Sequence, residues 1–411
     1  MPARVFGLTV VLLAAALVAA GARAQRADAF GSSRDHPAIE YSTAPVTTAV
    51  SELNRRLAAG EVRLAFDPVS GYLRSTLDAL GIPVESQTLV FSETSFQARK
   101  ISPENPRAVY FSDSVAVGWV RGGDILEVAA QDPRQGTIFY ALKQAPMATP
   151  QFNRDDQCLA CHLSWDTLAV PGPLVMTVFP RRHDNEYANG FAVDHRVPFA
   201  ERWGGWYVTG RRVPARHAGN VALLQPDGRT PDPPALASLD GRIPLEGYPR
   251  PTSDVVALMV LEHQAHATNL ITRAGWEARV GRPERVRQAV ADLVDYLLFV
   301  DEPAWPHPIE GGSGFAARFA AVGPRDTQGR SLRDLDLRVR LMRYPLSYMI
   351  YTPAFDALDP AVKRAVYAGI GRVLAGRDSA PRYAHLSAAD RRAIAEIVQA
   401  TRTDLPDGWP D

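Results

Sequence analysis

Cysteine is what this sequence has least of: two residues among 411, both inside one four-residue segment. That supply excludes a disulfide framework, because a bridge across so short a loop would staple nothing in a chain this long. Neither sign of charge is in excess. Lys+Arg and Asp+Glu are 45 each, so the chain lacks the basic surplus expected of a nucleic-acid binder. Beyond the first two dozen residues no charge-free apolar run reaches spanning length, which leaves no membrane span for a processed chain. No cysteine follows the N-terminal apolar run, so lipid attachment there is not expected. No internal repeat is evident.

What the chain does have begins at its N-terminus. Arg4 precedes an apolar stretch from Val5 to Ala20 and a small-residue cleavage site at Ala22-Arg23-Ala24. The apolar stretch is shorter than the roughly 20 residues of a spanning helix, and the cleavage site follows at once. Residues 1–24 therefore read as a secretory signal peptide, with a soluble periplasmic chain starting near Gln25. With 46 % hydrophobic and 22 % charged residues, that chain has the composition of an ordinary folded protein.

The two cysteines stand in Asp155-Asp156-Gln157-Cys158-Leu159-Ala160-Cys161-His162. C-x-x-C-H is the haem c attachment signature. Two thiols three positions apart can bond the two vinyl groups on one porphyrin edge, and the next residue brings an imidazole to the iron. Attachment takes place outside the cytoplasm, which agrees with export. A thioredoxin-like C-x-x-C belongs at a helix start after a buried strand, and the residues before Cys158 are mostly polar. A zinc site would have to recruit histidines, since no other cysteine exists. One covalent haem c, held by Cys158 and Cys161 with His162 as the proximal iron ligand, is the expected cofactor.

Periodicity predicts an α+β chain. Helices are expected over Val46–Leu57 and Gly71–Leu80. Short β-branched and aromatic runs then begin at Thr88, Ala108, Val115, Ile125 and Thr137, separated by turn residues. They read as an antiparallel sheet leading into the haem segment, resumed at Leu174, Gly205 and Val221. A Pro/Gly-rich stretch from Gln225 to Ser253 marks the candidate boundary between a strand-rich, haem-attaching region (25–240) and a helical region (254–411). The latter carries helices over Asp254–Arg273, Pro283–Val300, Phe315–Ala321, Pro360–Leu374 and Ser387–Ala400. Ser387 with Asp390 is a usable cap, short of a full capping box. A small cytochrome c opens with its motif in an all-helical domain; this chain does not, so a simple small cytochrome fold is excluded.

For the other face of the iron, His263 and His266 on the Asp254–Arg273 helix are the candidate distal ligands. They are three apart and project from one side. His263 lies in line with Met259, Ala267 and Leu270, and a core histidine bonded to its neighbours is the ordinary alternative. Met176 is 14 residues beyond His162 on an apparent strand. His183, His195 and His217 lie in polar surroundings. Arg181, Arg182, Arg196 and Arg202 are candidates to pair with propionates. Trp119, Trp203, Trp206 and Tyr207, set among glycines, could line the macrocycle.

The segments Ile101–Phe111, Val117–Val120, Asp156–His162, Val170-Pro171-Gly172, Glu201–Gly210 and Glu262-His263-Gln264 together resemble a poorly characterised group of exported bacterial proteins described as cytochrome c domain-containing. The resemblance runs over most of the processed chain and implies haem attachment through Cys158, Cys161 and His162, and nothing more. Electron transfer to a periplasmic redox partner protein is the leading expectation. A haem oxidoreductase or peroxidase with an open distal site, or a gas or redox sensor, is the alternative, motivated by a chain far longer than a bare carrier needs.

Overall fold

The computed structural model describes residues 33–179, 189–222 and 232–410. The signal-peptide reading, His183, Arg181, Arg182 and part of the expected strand at Val221 lie outside them. The fold is α+β, with a sheet-rich N-terminal half and a helical C-terminal half. After a single helical turn at Ser33–Asp35 come two longer helices, α1 (Ala49–Ala58) and α2 (Leu73–Leu80). Strands follow: β1 (Thr88–Val90), β2 (Arg107–Phe111), β3 (Val115–Trp119), β4 (Ile125–Asp132), β5 (Gly136–Lys143) and β6 (Asn153–Arg154). The one-turn helix α3 (Leu159–His162) precedes β7 (Met176–Val178), β8 (Gly190–Ala192) and β9 (Trp206–Tyr207). The C-terminal half holds α4 (Val255–Val280), α5 (Pro283–Leu297), α6 (Phe315–Ala320), α7 (Pro353–Asp356), α8 (Pro360–Leu374) and α9 (Ala388–Thr401).

Seven strands form one antiparallel sheet in the order β6-β5-β4-β3-β2-β1-β9, and β7 pairs with β8 separately. Because strand side chains alternate, the sheet has two unlike faces. One carries Ala108, Tyr110, Val117, Trp119, Leu126, Val128, Ile138 and Leu142, which pack with Leu53, Leu57, Leu73 and Leu77 of α1 and α2. The other carries two cross-strand rows of mostly small residues. Val109, Gly118, Glu127 and Ala141 stand opposite one another, as do Phe111, Ala116, Ala129 and Phe139. Burial along β4 alternates residue by residue, and the half-buried positions Glu127 and Ala129 belong to this second face.

Helix α4 organises the C-terminal half. Asp254 caps it through Oδ1, which accepts from Val256 N (2.8 Å) and Ala257 N (3.2 Å), and Gly281 ends it in the left-handed conformation at φ 76°. Most of its length is buried on every side, so it is a central helix rather than an amphipathic surface one. Core residues of β1, β2 and β9 share a cluster with α4, α5, α8 and α9. The chain between 232 and 253 is irregular, yet Leu236, Leu239, Ile243 and Tyr248 are buried against the sheet's α1–α2 side. Ser387 makes a true capping box: its hydroxyl accepts from Asp390 N, and the Asp390 carboxylate accepts from Ser387 N. Aspartate is long enough to close it, which the preference for Glu or Gln at that position had hidden. Among the described residues no helix is long and apolar enough to cross a membrane.

Candidate functional site

Asp155 starts the motif by accepting from Gln157 N at 3.0 Å. The chain then turns helically from Asp156 through His162. On such a turn positions i, i+3 and i+4 share a side, and Cys158, Cys161 and His162 all line one cavity of about 390 Å³. That volume is in the usual range for a small-molecule or cofactor site, roughly 300–1,000 Å³. Its floor is the small-residue face of the sheet: Ala116, Gly118, Glu127, Ala129 and Phe139. A Cβ at Gly118 would sit 2.8 Å from Arg107 Nε, so the glycine makes room for the guanidinium. Leu261 and Ala265 of α4 form one wall, and Val175, Met176 and Trp206 another.

His162 is held in one orientation. Its Nδ1 lies 2.9 Å from the Gly172 carbonyl; a carbonyl only accepts, so Nδ1 carries the proton and Nε2 keeps its lone pair. Gly172 N returns a bond to His162 O at 3.0 Å. The ring packs on Phe139, with centroids 4.6 Å apart. Burial pushes the imidazole down to about 4, which keeps it neutral and able to bind a metal. Both cysteines are unpaired. Burial, reinforced by Asp155 and Glu127, pushes the Cys158 thiol up to about 12, and burial raises Cys161 as well. A dithiol exchange catalyst needs the opposite shift, which counts against the thioredoxin-like alternative.

Charge enters the cavity at one pair. Arg107 Nε lies 3.2 Å from Glu127 Oε2, and Ser95 Oγ donates to Glu127 Oε1 at 2.6 Å. The Arg107 Nε proton is buried without a hydrogen-bond partner of proper geometry. Arg107, Glu127, Phe139 and Gly172 were not singled out for chemistry from sequence. A glycine inside a strand, as at Gly118, was the available signal of close approach.

The structure does not bring His263 or His266 to this cavity. Leu261 and Ala265 face the cavity, and successive helical residues rotate by about 100°. His266 is therefore turned aside from Ala265, and His263 lies some 200° round from Leu261. His263 is fully buried, with Nδ1 2.9 Å from His195 Nδ1 and Nε2 2.7 Å from Ser347 Oγ. Its ring stacks between Tyr296 and Phe299. His266 Nε2 meets Arg196 Nη2 at 3.1 Å. Arg196 pairs with Asp194, and Arg202 forms a buried 2.5 Å pair with Glu262, which also accepts from Trp203 Nε1. His217 is buried against Trp203. Neither arginine lines the cavity. Trp206 does, while Trp119 packs on Tyr248 across the sheet. Among the candidate second ligands that lie in the described residues, Met176 is the one that shares the cavity with His162.

No family model matches the chain, and neither a curated protein nor a solved structure does.

Proposed function

We propose that this is an exported mono-haem c-type protein that transfers electrons, with Cys158 and Cys161 bonded to the haem, His162 as proximal ligand and Met176 as the second. One observation carries the reading: both thiols, the His162 imidazole and Met176 line a single cavity, with Nδ1 of His162 occupied by Gly172 so that Nε2 is the free donor. The residues present fit the group. Apolar walls suit a macrocycle, and the Arg107 guanidinium on the cavity lining suits a carboxylate such as a propionate.

Haem would supply one-electron chemistry, with its potential set by the axial ligands, burial and hydrogen bonds to them. The protein's part is to bind, orient and exclude water. Cys158 and Cys161, both free thiols on the cavity lining, would hold the group covalently through its vinyl edge. His162 offers Nε2 because Gly172 holds the proton on Nδ1. Met176 offers a thioether from β7, a position pinned by the Trp206 indole donating to the Met176 carbonyl at 2.8 Å.

A second reading, a haem oxidoreductase, peroxidase or sensor with an open distal site, is favoured by the Arg107–Glu127 pair on the cavity lining, since charged groups in a cofactor cavity suit proton transfer to a bound ligand. The reduced spectrum of protein matured in a periplasm that attaches haem c, with and without carbon monoxide, separates the two. Electron transfer predicts a c-type spectrum that carbon monoxide leaves unchanged in the wild type and shifts in Met176→Ala. A prompt shift in the wild type would replace this reading with the second.

A further inference from the structure

We infer that Asn269 is a positioning residue for His162, acting through the strap Pro171-Gly172-Pro173, so that the helical half sets the ligand's hydrogen bond. The inference rests on the haem reading for its consequence, though its geometry belongs to the chain alone. The Gly172 carbonyl is the partner of His162 Nδ1, so whatever fixes the strap fixes the imidazole. The strap is hooked from two sides. Thr137 N of β5 donates to the Pro171 carbonyl at 3.0 Å, and Asn269 Nδ2 of α4 donates to the Pro173 carbonyl at 3.0 Å. The two prolines lack an N–H and hold φ near −65°, which leaves the carbonyls as the strap's main handles.

Packing is as tight as the bonding. A Cβ at Gly172 would collide with Asn269 Oδ1, so the amide lies directly against the glycine. Asn269 is 2 % exposed, and its Oδ1 is buried without a hydrogen-bond partner. Leaving a buried carbonyl oxygen unpaired costs about 1–3 kcal/mol. Leucine would fill a similar volume without that cost, so the Nδ2 bond to the strap is what the asparagine adds. Arg273, one turn along α4, reaches the Leu168 carbonyl of the same loop at 3.4 Å. The polar side of α4 is therefore a seam that grips the segment after the motif.

A firmly held Gly172 carbonyl strengthens the Nδ1 hydrogen bond and makes the imidazole a better donor, which favours ferric over ferrous iron. Loosening the strap should weaken that bond and raise the potential. The test compares wild type with Asn269→Leu, Gly172→Ala and the buried neighbour control Leu270→Ala. The first readout is nitrogen NMR of the His162 ring in the full chain made without haem. The second is the midpoint potential of the haem-loaded chain.

Wild type should show one tautomer with a slowly exchanging Nδ1 proton. Asn269→Leu and Gly172→Ala should mix the tautomers, speed exchange several-fold to about tenfold, and raise the potential. Leu270→Ala should lower stability and move neither readout. If Asn269→Leu keeps the wild-type tautomer and potential, or if Leu270→Ala reproduces its shifts, the inference is overturned. If Asn269→Leu does not fold, Gly172→Ala carries the same comparison from the other side of the contact. A wild type that attaches no haem would remove the functional reading, while the ring spectra would still decide the clamp.

Discussion

Two regions of this molecule concentrate groups of the kind that bind or catalyse, and they are built on opposite plans. The histidine cluster of His195, His263 and His266, with Arg202 and Glu262, is dense in ionisable groups and closed. Its rings stack on Tyr296 and Phe299, and most of its polar atoms already have protein partners. The motif region borders open space, with a lone pair on His162 Nε2 that no donor among the described residues consumes. Titratable side chains thus mark a packed, self-satisfied core in one place and, beside a cavity, a site in the other. What distinguishes them is unfilled bonding capacity next to room for a ligand.

The largest contrast between the regions should be in covalent haem. Replacing Cys158 and Cys161 by alanine should abolish haem that survives denaturing electrophoresis, whereas His195→Gln and His263→Gln should leave attached haem at the wild-type level. Attached haem lost in the histidine variants and kept in the cysteine variant would invert the comparison. Next in size is the cost of breaking an ion pair. Arg202→Met strands a fully buried Glu262 and should destabilise the fold by about 3–5 kcal/mol. Arg107→Met, whose pair with Glu127 keeps side-chain exposures of 23 % and 18 %, should cost less than that. Urea unfolding of the two variants measures both, and equal costs would mean that the cavity is as closed as the cluster.

The last contrast is titration. Burial holds His263 down to about 3, His217 and His266 to about 4, and His195 well below the usual histidine range. Each is neutral when folded and free to take a proton when unfolded. Their stabilisation is therefore complete above pH 6.5 and is lost as pH falls toward the folded values, by up to about 1.4 kcal/mol per pH unit for each histidine. Unfolding midpoints at pH 7, 6 and 5 should fall in that order, and His263→Gln should flatten the slope by one proton's worth. A slope unchanged in that variant would mean that His263 is protonated in the folded state.

Much of the fold was legible because its signals are local. β4 alternates, α8 starts at the proline and ends at the leucine read from periodicity, and α4 runs about two turns beyond Arg273 to the glycine that caps it. The strand expected at Val221 was less legible: Val221 itself carries no strand. At the site, the thiols and His162 were legible for the same reason, since their spacing alone puts them on one side of a turn. Met176 and His263 could not be ranked from sequence, because a strand methionine and a helix histidine both read as core. Arg107, Glu127 and Asn269 carried no local signal, being 55, 35 and 107 positions from His162.

The sequence by itself determined the motif, its helical turn, the neutral overall charge and the order of strands and helices, all of which depend on residues within a few positions of one another. The tertiary structure decided which face of the sheet is paved with small residues, which side of α4 meets the cavity and which carbonyl holds the imidazole. Those depend on the rotation of a helix and the register of a sheet. A shift of one residue along α4 turns a side chain by about 100°, enough to exchange Ala265 for His266 at the wall, and only packing against the rest of the chain sets it.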